Sequence, residues 1–137
     1  MAEDARLMVL IDTTVWIDFF AGRNKPHVGK LQKMIEKEDD LSLCGVIMTE
    51  ILQGIRSDTD FFKTKEYLDD LIFLPMRHGT FVRAAEIYRS LRKKGITIRK
   101  PIDCMIASVA IEYDNQLLHN DRDFTHIAKH SKLRVYN

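Results

Sequence analysis

The sequence predicts an α/β protein of three layers, with a mostly parallel sheet of about five short strands flanked by helices. Three observations carry that reading. Leu7 to Ile11 is an unbroken apolar run with no alternation, as expected of a strand covered on both faces, and parallel sheets require such strands. Further short apolar runs recur at Leu41–Cys44, Ile72–Leu74, Gln116–His119 and Leu133–Val135. Between them lie segments with apolar residues three and four apart, so strands and helices alternate along the chain.

The first run ends in Asp12-Thr13-Thr14, and a short helix is expected from about Thr14 to Phe20, stopping at Gly22. Asp12 or Thr13 is a candidate cap for it, and Trp16, Phe19 and Phe20 suit a core or an interface. Pro26 favours the start of a second helix, whose apolar face is Val28, Leu31 and Ile35. Asp39-Asp40 is a turn into the second strand. The next helix carries Ile47, Met48, Ile51, Leu52 and Ile55, ends near Gly54, and has Glu50 at the border of its apolar face. Arg56 to Asp60 reads as a polar turn and Phe61 to Leu71 as a helix. Ile72–Leu74 is closed by Pro75, and a further helix runs from about Thr80 to Lys94. Pro101 opens another helix with Asp103 in its first turn. The fourth strand runs into Asn120-Asp121-Arg122-Asp123, and Phe124 and Ile127 anchor a last short helix.

With 137 residues, 45% of them apolar, the chain is expected to form a single domain over residues 1–137, with 1–6 as a flexible N-terminal extension. Lysine and arginine total 21 against 20 acids, a net charge of +1, so only local charge patterns bear on partners. Cys44 and Cys104 sit among apolar neighbours and read as buried thiols in a reducing compartment rather than as a disulfide framework. No apolar run reaches the roughly 18 residues of a membrane span. Met1 to Arg6 has no apolar signal-peptide region. A cytoplasmic, membrane-free protein is expected.

Each acid has a modest explanation taken singly: Asp12 and Asp121 as helix caps, Asp103 as a carboxylate at the positive end of a helix, Glu50 as a solvent-facing residue. Taken together, Asp12 and Asp121 close parallel strands at the carboxyl edge, where open α/β sheets bind ligands, and Glu50 and Asp103 lie on helices that can reach the same edge. Carboxylates held close repel and take up protons unless a cation neutralises them. Mg²⁺ or Mn²⁺, hard ions that prefer oxygen ligands, suit such a set and support phosphodiester hydrolysis. Arg92, Lys93, Lys94, Arg99 and Lys100 crowd around Gly95 without an intervening acid. They read either as a solvated loop or as contacts to the phosphates of a nucleic acid.

Other chemistries fit less well. There is no Gly-rich phosphate loop and no nucleophile elbow. Asp12 has no second acid two residues on, as a phosphatase of the aspartyl-phosphate type would. His119, His126 and His130 lack the companion ligands of a zinc site, and His27 and His78 read as surface residues.

Four stretches then match a known family: Leu10-Ile11-Asp12-Thr13-Thr14-Val15-Trp16-Ile17-Asp18, Thr49-Glu50-Ile51-Leu52-Gln53-Gly54, Ile102-Asp103-Cys104-Met105-Ile106-Ala107, and Leu118-His119-Asn120-Asp121-Arg122-Asp123-Phe124. In order and spacing the chain resembles the PIN-domain ribonucleases, and within them the VapC toxins of toxin–antitoxin pairs. The resemblance implies a PIN-like fold and a Mg²⁺-dependent toxin endoribonuclease, with Mn²⁺ as a substitute ion. It implies an acidic metal site of Asp12, Glu50, Asp103 and Asp121, with Asp123 at its edge and Thr13 positioning a water or a phosphate. It also implies a structured tRNA or rRNA target, a cognate VapB-type antitoxin and a homodimer. The Trp16–Phe20 and Phe61-Phe62 segments are candidate partner surfaces. The competing readings are a non-catalytic nucleic-acid- or partner-binding domain and a related metal-dependent DNA nuclease.

Overall fold

The computed structural model describes residues 8–137. The expected flexible extension, and Leu7 at the start of the first strand, lie outside the described residues. In β1 (Met8–Ile11) the absence of alternation has the predicted consequence: Val9, Leu10 and Ile11 have no exposed surface. β1 is the centre of a five-stranded sheet whose order is β3-β2-β1-β4-β5, with β2 (Asp40–Cys44), β3 (Ile72–Leu74), β4 (Gln116–Leu118) and β5 (Arg134–Val135). Every pairing is parallel, with Val9 opposite both Leu41 and Gln116.

Helices make all the crossovers. α1 (Thr13–Phe20) and α2 (Pro26–Glu36) join β1 to β2, and α3 (Gly45–Gln53) and α4 (Asp58–Asp69) join β2 to β3. α5 (His78–Lys93) and α6 (Pro101–Glu112) lead from β3 to β4, and α7 (Arg122–Lys129) from β4 to β5. The chain thus steps outward from β1 to β3, then returns to the other side of β1 for β4. The strand order reverses between β1 and β4, and the crevice beyond the carboxyl ends of those two strands is the place where such sheets bind ligands. The two ends are tied directly: the Asp12 amide donates to the Leu118 carbonyl at 2.9 Å.

The helix boundaries differ from the sequence reading mainly at amino termini. α4 begins at Asp58, inside the segment read as a polar turn, because the Ser57 hydroxyl accepts from the Asp60 amide and Asp58 and Asp60 favour the positive end of the helix. α5 begins two residues early, at His78, where the Thr80 side chain returns a bond to the Arg77 amide. α1 begins one residue early, at Thr13.

α5 ends in a Schellman arrangement. Gly95 takes φ +81°, its amide donates to Arg92, and the Ile96 amide donates to Leu91. That turn reverses the chain and carries residues 96–100 toward the sheet edge, where Pro101 starts α6. One expectation fails in the core. His27 is buried, not on the surface. Its ring bonds Asp18, which also accepts from Arg23 at 2.6 Å. This polar clip fastens α2 to α1, and the charged partner Asp18 offsets the cost of burying the ring.

Candidate active site

Three acids, Asp103, Asp121 and Asp123, cluster at the β1–β4 edge, and Asp12 and Glu50 lie near them outside that close group. Asp12 leaves β1 at the N-cap position of α1 and is buried, yet its side chain makes no capping bond to the helix and instead accepts from the Thr14 hydroxyl at 3.2 Å. Asp103 lies in the first turn of α6 and is 2% exposed. Asp121 is a true N-cap of α7, accepting from the Asp123 amide at 2.9 Å, and Asp123 is buried in the same turn. Carboxylate oxygens of Asp103, Asp121 and Asp123 lie within 4.8 Å of one another. Glu50, half-buried on α3, accepts from the Thr13 hydroxyl at 2.7 Å. Thr13 is the residue after Asp12, so this bond holds the α3 acid beside the β1 acid.

Electrostatics agree with the geometry. Burial pushes the Asp12 carboxyl up to about 6, against the opposing effects of the Thr13 amide, the Thr14 hydroxyl and Lys100. Burial likewise pushes Asp103 up to about 7, and the charges of Asp12, Asp121 and Asp123 add to the rise while Lys100 opposes it. Burial acts to raise Asp121 as well, but the Asp123 amide, Lys100 and Arg99 outweigh it and hold this carboxyl below the usual range. Two like charges less than 5 Å apart repel by ~3 kcal/mol at an effective dielectric of about 20, so the cluster calls for cations.

The residues present fit a divalent ion. The donor set is carboxylate oxygen throughout, which hard cations prefer. Asp103 Oδ2 is buried and has no hydrogen-bond partner, a costly arrangement for a carboxylate unless it ligates something. Among the described residues, the group close enough to share one ion contains no histidine. His119 serves the backbone instead, its Nδ1 accepting from the Asp121 amide at 3.1 Å while the ring packs 5.2 Å from Phe124.

The basic segment divides in two. Arg99 reaches the acids, donating to Asp121 at 3.1 Å and to Asp123 at 3.3 Å, and Lys100 Nζ lies 3.5 Å from Asp121. Arg92 and Lys93 form the last turn of α5, and with Lys94 they are exposed; Arg92 lies over the Tyr88 ring. Sequence reasoning does not single out Thr14, although a second hydroxyl beside Asp12 is the signal that points to it. It also misses the clip of Asp18, Arg23 and His27, whose partners lie five and nine residues from Asp18, in the α1–α2 connection and on α2.

A separate apolar groove, about 490 Å³ in volume, lies between α1, α3 and α4 and is lined by Ile17, Phe20, Ile51 and Ile55 among others. Trp16 is fully buried and stacks at 5.6 Å on Phe20 of the groove wall, while Phe20 itself is 38% exposed and Phe62 64% exposed. The aromatic segments therefore split between core and surface.

These features define a three-layer α/β protein whose acidic site, at the reversal of strand order, can coordinate a divalent metal. The family model for the PIN domain matches residues 9–130. The chain belongs to the PIN-domain family and is homologous to the VapC-type toxins of toxin–antitoxin systems. It is 31% identical over 130 residues to the VapC ribonuclease Mb1587 of Mycobacterium bovis, covering 93% of this chain and 97% of that one. It is 28% identical over 125 residues to the ribonuclease VapC18 of Mycobacterium tuberculosis, covering 89% of this chain and 88% of that one. Among solved structures, its fold is similar to VapBC2 from Rickettsia felis bound to a promoter DNA fragment, with a TM-score of 0.76, 18% identity, and 96% and 98% of the two chains covered. It is also similar to FitAcB from Neisseria gonorrhoeae, with a TM-score of 0.72, 20% identity, and 95% and 97% covered. No described helix is long and apolar enough to cross a membrane.

Proposed function

We propose that this chain is a toxin endoribonuclease that hydrolyses RNA phosphodiester bonds with Mg²⁺ or Mn²⁺ and leaves a 3′-hydroxyl and a 5′-phosphate. The observation that carries the reading is the cluster of Asp103, Asp121 and Asp123, one carboxylate oxygen of each within 4.8 Å of the others, in which Asp103 Oδ2 is buried and unpartnered, in a chain of the PIN family. When bound, the divalent ion neutralises the acids, activates water and stabilises charge on a phosphoryl oxygen.

The chain's own residues have distinct tasks in this reading. Asp103 and Asp121, with Asp12, hold the ion, and Asp123 closes the cluster at its edge. Glu50, fixed by Thr13, orients a water on the α3 side. The exposed Arg92, Lys93 and Lys94 attract the phosphate backbone and offset the repulsion between an acidic pocket and a polyanion. A structured tRNA or rRNA is the substrate class that the VapC homology suggests.

The same homology supports restraint by a cognate VapB-type antitoxin and pairing of two copies of this chain. Solved relatives include a toxin–antitoxin complex from Klebsiella pneumoniae. The apolar groove lined by Ile17, Phe20, Ile51 and Ile55 is the surface suited to an antitoxin segment.

Cleavage of total cellular RNA by the purified protein, with Mg²⁺, with EDTA, and with the Asp12→Asn variant, tests the reading. Discrete fragments that need both the ion and Asp12 are expected. Equal cleavage by Asp12→Asn would remove the metal-site assignment. A parallel DNA substrate separates the ribonuclease from a DNA nuclease.

A further inference from the structure

Arg99 is placed unusually for a phosphate contact. Its side chain is 64% exposed, yet its guanidinium spans two acids of the candidate metal site, with Nη2 on Asp121 and Nε on Asp123 Oδ2. The Arg99 backbone amide also donates to Asp123 Oδ2, at 3.3 Å, so the fork is held from both its root and its tip. Asp103, the third acid, takes no such bond at Oδ2. The cluster therefore has two carboxylates satisfied from within the chain and one that is not.

We propose that Arg99 is a tethered counter-cation that competes with the divalent ion for Asp121 and Asp123. The inference rests on the metal-dependent reading above and goes beyond it. A planar fork matches carboxylates in a way a point charge does not, and Arg99 is always charged. While no ion is bound, Arg99 offsets the repulsion among the three acids. An ion entering at Asp103 must displace the fork from Asp121 or Asp123, which raises the ion concentration needed to fill the site. Because the side chain is largely exposed, the competition is modest, and its loss is worth about a two- to fivefold gain in ion affinity.

The test is Mn²⁺ binding by calorimetry on the full chain, with no RNA present. Arg99→Gln should bind Mn²⁺ about two to five times more tightly than the wild-type chain. Arg99→Lys, which keeps the charge and loses the fork, should fall between the two. Arg134→Gln removes a charge whose partner is Asp114, beyond the far end of α6, and should leave the affinity unchanged. In the wild-type chain, the Arg99 Nε–H resonance should shift on Mg²⁺ titration with the same midpoint as binding. Equal affinity in Arg99→Gln and wild type overturns the competition while leaving the metal site standing. An Arg99→Lys affinity equal to wild type, beside a tighter Arg99→Gln, reduces the effect to through-space charge and overturns the bridging role. Absence of Mn²⁺ binding in every variant overturns the metal-site reading and this inference together.

Discussion

The Thr13 hydroxyl donates to Glu50 Oε1 at 2.7 Å and so fastens the first turn of α1 to the middle of α3. The two residues are 37 positions apart, and the bond sets the distance between the acids of β1 and α3. Thr13 is 7% exposed, so its removal leaves Glu50 free to swing toward solvent. Thr13→Val should lower kcat about tenfold, with a stability loss of ~1 kcal/mol from the missing hydrogen bond. Thr13→Ser, which keeps the hydroxyl, should recover most of the rate. Steady-state kinetics beside thermal melts check this, and a Val variant with wild-type kcat would show that Glu50 needs no tether.

The raised carboxyls of Asp12 and Asp103 give stability a definite pH dependence in the absence of metal. Their folded-state values, about 6 and about 7, lie above the usual value near 4 of an unfolded chain. Between roughly pH 4 and 7 the folded state therefore holds more protons than the unfolded state, and stability falls as pH rises through that window. Asp103→Asn removes the ionisation. In EDTA it should be more stable than wild type at pH 8, with the advantage shrinking toward pH 4. Urea melts across the range check this; a wild-type chain at least as stable as Asp103→Asn at pH 8 would contradict the burial of this carboxyl.

Metal should reverse that order. An ion bound only by the folded chain stabilises it, by about 2.7 kcal/mol at a concentration one hundred times its Kd. Addition of Mg²⁺ or Mn²⁺ at pH 8 is expected to raise the Tm of the wild-type chain and to leave Asp103→Asn nearly unmoved. Differential scanning fluorimetry over a metal titration measures both. Equal Tm shifts in the two proteins would place the ion elsewhere.

Much of the sheet was legible because a doubly covered strand has no alternation, and Val9, Leu10 and Ile11 display this plainly. Asp12 and Asp121 were legible because they follow β1 and β4, the first at once and the second three positions on, and the alternation of elements fixes the direction of those strands. What escaped was long-range polar pairing. Ser42 donates to Asn115 at 2.6 Å, both residues being buried and 73 positions apart, and neither carries a local signal of it. Asn115 follows Asp114, which takes a left-handed φ of 54°, a turn that periodicity alone does not reveal. Removing the Asn115 amide takes away two hydrogen bonds, one accepted from Ser42 and one donated to the Tyr113 carbonyl, while the Ser42 hydroxyl keeps the Val9 carbonyl as an acceptor at 3.2 Å, so Asn115→Ala should cost about 1–3 kcal/mol. The residual folded fraction should cleave at the wild-type rate, because the pair sits at β2 and the entry to β4, away from the acids. Chemical denaturation with activity normalised to folded protein checks the two halves separately.

The basic segment behaves as two groups, and its exposed half can be tested by itself. Lys93 and Lys94 are exposed and have no part in the bonds that Arg99 and Lys100 make to the acids. Their contribution to RNA binding is then sequence-independent attraction to phosphates, which releases counterions from the RNA. Neutralising both as Lys93→Gln and Lys94→Gln should weaken RNA affinity at low salt and flatten the dependence of log affinity on log salt concentration. On a single strand, every phosphate that is no longer neutralised reduces the slope by about 0.7. The rate at saturating RNA should hold, since neither side chain reaches the acids. Filter binding from low to moderate salt, beside single-turnover cleavage, separates the two effects. An unchanged slope would return Lys93 and Lys94 to the role of solvated helix-end charges.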